Sequence, residues 1–239
     1  MNLLLLENED LVQPDLAIIR DQRLQHILDV HRASPGDTLK VGVLNGKMGV
    51  AEIEILDRQQ ATLRLALHAP APDPLPLTLV LALPRPKMLR RCLRMISELG
   101  IKQLYLIHSF RVEKSYWHSP LLDETEIHRT LIAGLEQAKD TLLPQVQIRK
   151  RFKPFVEDEL PHLLRDRLGL VAHPYSATAD DFSQPLVRPA LICVGPEGGF
   201  IPYEVEKLLA AGCLPLDLGE RIYRVETVLP LLVGRLFSA

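Results

Sequence analysis

A run of alternating prolines constrains the fold of this chain most strongly. Residues 70–76 are Pro-Ala-Pro-Asp-Pro-Leu-Pro, so proline occupies every second position. Proline has a fixed φ and no backbone N–H, so this run can form neither a helix nor an inner strand. We therefore predict a stiff, extended linker at residues 70–76 that joins two domains, residues 1–69 and residues 77–239.

The segment before the linker has the two-residue period of β-strands. Alternating apolar positions predict three strands, at residues 38–44, 49–56 and 61–67. Between the first two strands, Asn45-Gly46 is typical of a type I′ hairpin turn. A short helix is expected at residues 26–31. Together these elements predict a small antiparallel β-barrel over residues 1–69.

After the linker, strand patterns alternate with helical patterns. The predicted order is a strand at 77–83, a helix at 87–99, a strand at 103–108, a helix at 124–143, strands at 168–172 and 191–194, a helix at 202–211, a strand at 214–218 and a helix at 225–236. This alternation is typical of an α/β domain, in which helices cover both faces of a mostly parallel sheet.

Two loops near the C-terminus follow short apolar runs and precede helical patterns. The first is Gly195-Pro-Glu-Gly-Gly-Phe200, and the second is Leu218-Gly-Glu-Arg-Ile-Tyr-Arg-Val-Glu-Thr227. Because ligands of parallel sheets bind at the carboxyl ends of the strands, we expect the two loops to form two backbone walls of one pocket. The chain contains neither G-x-G-x-x-G nor a G-K-[ST] phosphate loop, which disfavours nicotinamide cofactors and nucleoside triphosphates as ligands.

The same two loops carry a family resemblance. Val194-Gly-Pro-Glu-Gly-Gly-Phe200 and Leu218-Gly-x-Arg-Ile-x-Arg-x-Glu-Thr227 resemble the motifs of the RsmE family of 16S ribosomal RNA methyltransferases, and the resemblance extends over nearly the whole chain. It implies an α/β fold in which residues 77–239 form a SPOUT-type parallel-sheet domain with a trefoil knot. It also implies that the barrel at residues 1–69 is a PUA-like, RNA-binding domain.

The function that the resemblance implies is methylation of N3 of a uridine in 16S ribosomal RNA. Its cofactor is S-adenosyl-L-methionine, and its partner is ribosomal RNA or the small ribosomal subunit. The chain departs from the family at Tyr223, at Val225, and after Glu136-Gln137, where an expected arginine is absent. Two alternatives therefore stay open, namely methylation of a different RNA position and an inactive paralogue that binds RNA and the cofactor.

Three charged side chains of the loops are the catalytic candidates: Arg224, Glu197 and Glu226. Loss of the N3 proton leaves negative charge on the carbonyl oxygens of uracil, which the guanidinium of Arg224 can stabilise. The proton acceptor is Glu226, Glu197 or water, and the residues alone do not decide among them. Glu197 and Arg224 each have an alternative, purely structural role. Glu197 could cap the helix near Pro202, and Arg224 could pair with Glu220 or Glu226.

The two loops and the preceding strands supply the candidate cofactor ligands. We expect them to bind S-adenosyl-L-methionine mainly through backbone groups, because glycine lets a ligand approach the bare main chain. The candidates are His173, Val194, Gly195, Gly198, Gly199, Leu218, Gly219, Ile222, Tyr223 and Thr227. No metal site is expected, because the histidines and cysteines match no metal-ligand spacing.

Basic residues on one helical face are the first candidates for RNA binding. They are Lys87, Arg90, Arg91 and Arg94, at i, i+3, i+4 and i+7 in a predicted helix. Positive charge in the first turns of a helix opposes the helix dipole, which favours phosphate as a partner, although a solvated face is the ordinary alternative. The weaker candidates are Arg221 in the second loop and the barrel residues Arg20, Arg23 and Arg32.

Composition bears on the compartment and the partners. The net charge of −2 gives no overall field that would attract a polyanion, so an RNA site must be a local patch. The three scattered cysteines suit a reducing cytoplasm, and we expect neither a signal peptide nor a membrane-spanning stretch. A homodimer is expected from the resemblance and from the last helix, residues 225–236, which has little polar face.

The double substitution Arg90→Ala with Arg94→Ala should weaken RNA binding. Fewer phosphate contacts mean that fewer counterions are released from the RNA on binding. The slope of log affinity against log salt should therefore flatten by roughly one to two. The measurement is a salt titration of binding to small-subunit ribosomal RNA, and the affinity for S-adenosylhomocysteine should stay unchanged. An unaltered salt slope would show that this helix face is solvated surface only.

Overall fold

Two six-stranded sheets organise the chain, one in each of two structural units. The structure, a computed structural model, describes residues 2–174 and 184–237. Unit 1 comprises Met1–Asp73 and Ile132–Leu143, and unit 2 comprises Pro74–Leu131 and Pro144–Ala239. The change of unit after Asp73 falls inside the predicted linker. Unit 1 also includes residues 132–143, which the sequence analysis assigned to the second domain.

Unit 1 contains a mixed, curled sheet with the strand order β1-β4-β5-β6-β3-β2. Its strands are β1 (Leu4–Leu6), β2 (Leu11–Gln13), β3 (Leu16–Ile19), β4 (Thr38–Val43), β5 (Met48–Leu56) and β6 (Ala61–Ala69). Strand β1 pairs parallel to β4, and the other neighbours pair antiparallel. The predicted antiparallel barrel is therefore a half-barrel with one parallel edge strand. The helix expected at residues 26–31 is α1 (Gln22–His26) followed by a π-helical turn, Ile27–His31.

The sequence pattern misses β1 because both faces of this strand are buried. Leu4 and Leu6 belong to the core of the half-barrel. Leu3 and Leu5 belong to a second cluster, which contains Leu135. A strand that is buried on both faces shows an unbroken apolar run instead of alternation, so it gives no period-two signal.

The segment 132–143 packs within unit 1 and determines the shape of one hairpin turn. The hydroxyl of Thr141 donates to the carbonyl of Gly46 over 2.6 Å, and the N–H of Asn45 donates to the carbonyl of Thr141 over 2.7 Å. Asn45 has a φ of 58°, whereas Gly46 is not among the residues with positive φ. A type I′ turn needs positive φ at both positions, so that prediction was wrong. The N–H of Gly46 donates to the carbonyl of Val43 within the hairpin, and contacts with Thr141, far along the chain, add to this local hydrogen bond.

Unit 2 is built on an all-parallel sheet with the strand order β12-β10-β11-β7-β8-β9. Its strands are β7 (Leu75–Ala82), β8 (Ile101–Ile107), β9 (Gln145–Arg149), β10 (Leu168–Ala172), β11 (Ala190–Val194) and β12 (Leu214–Leu216). The helices that follow the linker are α2 (Pro86–Glu98), α3 (Glu124–Ala138), α4 (Phe152–Pro154), α5 (Leu160–Leu163), α6 (Pro202–Ala210) and α7 (Val225–Leu236). The predicted α/β class with a parallel sheet is confirmed.

Two predictions about this part of the chain were wrong in extent. The linker expected at residues 70–76 ends earlier, because the inner strand β7 begins at Leu75 and includes Pro76, where its pairing with β8 is irregular. The helix expected at residues 124–143 ends at Ala138, because Lys139 has a φ of 57° and leaves the helical region. Strand β9 and the short helices α4 and α5 were not predicted. A π-helical turn at Phe155–Glu159 separates α4 from α5, so the apolar positions there do not keep the 3.6-residue period that indicates a helix.

Parallel pairing aligns the carboxyl ends of β10, β11 and β12. The register pairs Ala172 in β10 with Val194 in β11 and with Leu216 in β12. Because the three strands run in one direction, the loops that follow these residues leave the sheet at the same edge. Two of these loops are the glycine-containing segments that the sequence analysis selected.

Replacing Leu135 with alanine should destabilise unit 1. The side chain is fully buried against Leu3 and Leu5, so its removal leaves a cavity and should cost about 2–5 kcal/mol. The measurement is urea unfolding combined with amide hydrogen exchange of β1. Val12→Ala, at an exposed position of β2, is the matched control and should change little. Unchanged exchange in β1 would contradict the placement of Leu135 in unit 1.

Candidate functional site

A cavity of about 450 Å³ lies at the carboxyl ends of β10, β11 and β12. This volume falls in the range of small-molecule and cofactor sites. The residues selected from the sequence that line it are His173, Val194, Gly195, Glu197, Gly198, Gly199, Leu218, Gly219, Arg221, Ile222 and Tyr223. The structure thus brings both predicted loops to one cavity. The other selected loop residues, Arg224, Glu226 and Thr227, lie at the start of α7 and do not line it.

The first loop offers bare backbone to the cavity. An added Cβ at Gly195 would lie 2.9 Å from the nitrogen of Phe200, because the loop closes tightly on itself. Gly199 has a φ of 72°, in the left-handed region that favours glycine, and its N–H donates to the carbonyl of Pro196 over 2.7 Å. No side chain at these glycines stands between the main chain and a ligand.

The second loop forms another wall of the cavity. Gly219 has a φ of 100°, and its N–H donates to Oδ1 of Asp217 over 2.9 Å. The guanidinium of Arg235 in α7 donates to the carbonyl of Asp217 over 3.0 Å and so ties the loop to that helix. Ile222 and Tyr223 line the cavity, and Ile222 is 70% exposed. This wall therefore combines open backbone with apolar side chains.

Arg111 is a cavity residue that the sequence analysis did not select. It follows β8, and its Nη1 donates to the carbonyl of Gly198 in the first loop. An added Cβ at Gly198 would lie 2.9 Å from Cδ of Arg111. Burial, together with the charge of Arg111, lowers the pKa of His173 below its ordinary value, and Asp217 opposes this shift. His173 is therefore neutral near pH 7. The position of Arg111 after a parallel strand is the signal that could have revealed it.

Glu197 caps a helix that is remote from it in sequence. Its Oε1 accepts the N–H of Arg85, the N-cap residue of α2, over 3.0 Å. A carboxylate at this end of a helix is stabilised by the helix dipole. The structural alternative considered for Glu197 was a cap of the helix near Pro202, which is α6, and that assignment was wrong. Glu197 also lines the cavity, so one carboxylate both caps α2 and faces the space for a ligand.

The buried carboxylate of Glu204 is the actual cap of α6, and the sequence analysis missed it. Glu204 is only 3% exposed. Its Oε2 accepts the N–H of Ile201 over 3.0 Å, and its Oε1 accepts the N–H of Phe110 over 2.7 Å. It therefore joins the first loop to the turn after β8. The available signal was its place three residues after the N-cap position, where a capping-box glutamate lies.

Glu226 lies beside the basic face of α2. Its Oε1 is 3.8 Å from Nη1 of Arg91, and its Oε2 is buried without a hydrogen-bond partner in the described ranges. Burial raises the pKa of the neighbouring Cys92 thiol to about 12, and the charges of Glu226 and Glu197 add to this effect. Of the two carboxylates proposed as bases, only Glu197 lines the cavity.

Arg224 and Thr227 form the start of α7. Arg224 is the N-cap residue, its side chain is exposed, and its carbonyl accepts the N–H groups of Thr227 and Val228 over 2.9 and 3.0 Å. Arg224 directly follows Tyr223, which lines the cavity. A catalytic role for Arg224 and a cofactor contact by Thr227 stay predictions.

The four basic residues selected in the helix after the linker lie on the exposed side of α2. These are Lys87, Arg90, Arg91 and Arg94. The buried residues of the same helix include Leu89, Cys92, Leu93 and Ile96. The structure therefore gives one charged face and one packed face, as the spacing predicted. Binding of RNA to this face stays a prediction.

The three arginines selected in the barrel differ in whether their guanidinium groups form ion pairs within unit 1. The guanidinium of Arg23 pairs with Asp10 over 2.7 Å and with Asp21 over 2.6 Å. The donors of this guanidinium are thus bound by two carboxylates of the same unit, and the side chain is mostly buried. Arg20 and Arg32 are exposed. Of the three, Arg20 and Arg32 are therefore better placed to reach an RNA phosphate.

Other features of the described residues bear on the classes of function. Across residues 2–174 and 184–237, no helix is long and apolar enough to cross a membrane. The same ranges hold no cluster of three or more His, Cys, Asp or Glu that could bind a metal ion. Cys92, Cys193 and Cys213 are free and buried, so their thiols are held away from solvent.

Comparison with known proteins gives matches over nearly the whole chain. A family model described as an RNA methyltransferase domain matches residues 71–236, more than half of the chain. A relative from Treponema pallidum, ribosomal RNA small subunit methyltransferase E, is 34% identical over 234 residues. The alignment covers 95% of this chain and 87% of the relative.

Solved structures of similar fold include two with a bound cofactor. Ribosomal RNA small subunit methyltransferase E from Neisseria gonorrhoeae, bound to S-adenosyl methionine, has a TM-score of 0.76 at 21% identity. The methyltransferase Lpg2936 from Legionella pneumophila, in complex with the same cofactor, has a TM-score of 0.75 at 23% identity. Each match covers 98% of this chain and 95% of the other. At these identities the likeness concerns the fold.

Replacing Glu204 with alanine should loosen the cavity as well as the fold. The change leaves the N–H groups of Phe110 and Ile201 without their acceptor, which should cost about 2–4 kcal/mol of unfolding free energy. Urea unfolding and amide exchange at residues 109–112 measure the effect. Glu206→Ala removes an exposed carboxylate from the same helix and should leave both quantities unchanged. Equal behaviour of the two variants would contradict the role of Glu204.

Proposed function

Because the chain belongs to the family of ribosomal RNA small subunit methyltransferase E, we propose that it transfers the methyl group of S-adenosyl-L-methionine to N3 of a uridine in 16S ribosomal RNA. The observation that carries the proposal is the cavity that the two glycine-containing loops form at the carboxyl edge of the sheet. In this proposal residues 1–69 are a PUA-like, RNA-binding domain, residues 70–76 are the linker, and residues 77–239 are a knotted SPOUT-type methyltransferase domain.

The cavity suits the cofactor in size and in the chemistry of its walls. The space beside Gly199 and Gly219 is open, so the main chain is accessible to a ligand there, and Ile222 and Tyr223 add apolar surface for an adenine ring. When bound, the cofactor supplies an electrophilic methyl group on a positively charged sulfur. The imidazole of His173 is neutral near pH 7, so it adds no positive charge that would repel this sulfur.

The residues of the chain must take a proton from the substrate and stabilise the charge that remains. Uridine N3 is a poor nucleophile while it carries its proton. We assign the proton to Glu197, because this carboxylate lines the cavity and Glu226 does not. The N–H of Arg85 binds Oε1 of Glu197, so Oε2 is the oxygen that receives the proton. Arg224 directly follows the cavity residue Tyr223, and its exposed guanidinium can reach a base at the mouth of the cavity and stabilise the negative charge on the uracil carbonyl oxygens.

A cytoplasmic homodimer completes the proposal. The three free cysteines suit a reducing compartment. The apolar character of α7 supports the dimer only in part, because Leu229, Leu232 and Leu236 are already buried within one chain. Leu231 and Val233, which are half-buried, are the apolar side chains that a second copy would cover.

The deciding experiment is methyl transfer to small ribosomal subunits that lack the modification. The wild-type protein should methylate uridine N3, located by mass spectrometry of nuclease digests. Arg224→Ala should lower kcat by about 10²- to 10³-fold, because it removes charge stabilisation and leaves the cavity intact. Arg188→Ala, at an exposed position outside the cavity, is the matched control. Calorimetry with S-adenosylhomocysteine should give the same affinity for all three proteins.

The alternatives give different results in the same experiment. Transfer to another atom of the RNA would establish a different target position. Cofactor binding without any transfer would establish an inactive paralogue. An Arg224→Ala protein with wild-type kcat would remove Arg224 from the mechanism and leave the proposed reaction standing.

Acidification should weaken the binding of S-adenosylmethionine more than that of S-adenosylhomocysteine. The pKa of His173 lies below its ordinary 6.5, so the imidazole is neutral at neutral pH and gains its proton only as the pH falls below that value. The imidazolium would then repel the sulfonium of S-adenosylmethionine, whereas the sulfur of S-adenosylhomocysteine is neutral. Calorimetry from about pH 8 to about pH 5 measures the difference, and His173→Gln should abolish it. Parallel pH profiles in the wild type would place His173 away from the sulfur.

A further inference from the structure

Phe110 leaves an aromatic ring in solvent. The residue is 75% exposed, whereas the other phenylalanines in the described ranges, Phe152, Phe155, Phe200 and Phe237, are at most 9% exposed. An exposed phenylalanine ring gains nothing from burial, and phenylalanine carries no polar group that would favour solvent. Its exposure therefore points to a partner that covers the ring.

The main chain of Phe110 is held firmly although its ring is free. Its N–H donates to the buried carboxylate of Glu204 over 2.7 Å, and the N–H of Val112 donates to the carbonyl of Ser109 over 3.0 Å. Val112 and Ser109 are both buried. A ring on a fixed backbone loses little conformational entropy when a partner stacks on it, which is the property of a preorganised platform.

Two contacts tie the turn at Ser109–Val112 to the wall of the cavity. Glu204, which binds Phe110, also binds the N–H of Ile201 at the end of the first loop. Arg111, the next residue after Phe110, lines the cavity and donates to the carbonyl of Gly198. Phe110 is therefore at the border of the cavity that the proposed function assigns to the cofactor.

The segment that follows Phe110 carries exposed basic side chains. Arg111 and Lys114 are exposed on either side of Glu113, and Lys114 begins a 3-10 turn, Lys114–His118. The Nζ of Lys150 lies 5.9 Å from the ring centroid of Trp117 in this turn. Cations beside an exposed aromatic ring match a nucleotide, in which a flat base adjoins a phosphate, better than they match an apolar protein surface.

On the basis of the proposed function, we propose that Phe110 is the platform on which the target uracil stacks beside the cavity. The N3 atom lies on the pairing edge of uracil, so the base must be unpaired and turned out of the RNA before a methyl group can reach it. A base outside the stack loses its neighbours, and an aromatic side chain can replace one of them. The ring of Phe110 supplies this face, while Arg111 and Lys114 can bind the flanking phosphates.

The test compares Phe110→Ala, Phe110→Trp and Val187→Ala in the full-length protein. Val187 is an exposed apolar residue outside the cavity and serves as the matched control. With unmodified small subunits, Phe110→Ala should lower kcat/KM roughly ten- to hundredfold, because aromatic stacking on a base is lost. Phe110→Trp should restore most of the activity, and Val187→Ala should match the wild type. The affinity for S-adenosylhomocysteine should be equal in all proteins, which shows that the cavity is intact.

A second readout does not depend on catalysis. Ultraviolet irradiation of the wild-type protein with unmodified small-subunit ribosomal RNA and S-adenosylhomocysteine should give a uridine adduct on Phe110, identified by mass spectrometry. Wild-type kcat/KM in Phe110→Ala together with no adduct at Phe110 would overturn the proposal and leave the proposed function standing. A change of oligomeric state in Phe110→Ala, seen by light scattering, would overturn it in favour of a protein interface. If the wild type transfers no methyl group, the proposed function fails, and the adduct alone decides whether Phe110 stacks on RNA.

Discussion

Parallel pairing of β10 with both β11 and β12 is the constraint on which the candidate site depends. The pairing register places Ala172 beside Val194 and beside Leu216. The three strands therefore end at the same edge of the sheet. Two loops that are about twenty residues apart in sequence follow these ends and form walls of one cavity. The glycines of these loops matter only because the sheet has already brought their backbones together.

Two carboxylates then join the loops across long separations in sequence. Glu197 binds the N–H of Arg85, 112 residues earlier, and Glu204 binds the N–H of Phe110, 94 residues earlier. In both cases a charged acceptor satisfies amide groups at the carboxyl edge of the sheet. Hydrogen bonds to ionised groups are stronger than those between neutral groups, and a buried acceptor such as Glu204 is screened little by water. The cavity wall is therefore held by electrostatics as well as by packing.

Predictions succeeded where a short stretch of sequence sets the structure, and they failed where partners far along the chain set it. Helix α2 was located correctly because it buries one apolar stripe, whose 3.6-residue period is visible in the sequence. Strand β1 was missed because both of its faces are covered, one of them by the cluster that contains Leu135. The turn at Asn45 was assigned the wrong type because Thr141, far along the chain, accepts the N–H of Asn45 and donates to the carbonyl of Gly46. Local periodicity gave no information about these remote partners.

The sequence by itself determined the α/β class and the two loops that line the cavity. These depend on properties of short segments, namely period and glycine spacing. Only the tertiary structure decided that Glu197 caps α2, that Arg111 enters the cavity and that Glu204 joins two loops. It also decided that Arg23 is occupied by Asp10 and Asp21. The physical reason is that the partner of a charged side chain is chosen by distance in space. That distance is set by strand order and register, which no short segment of the chain encodes.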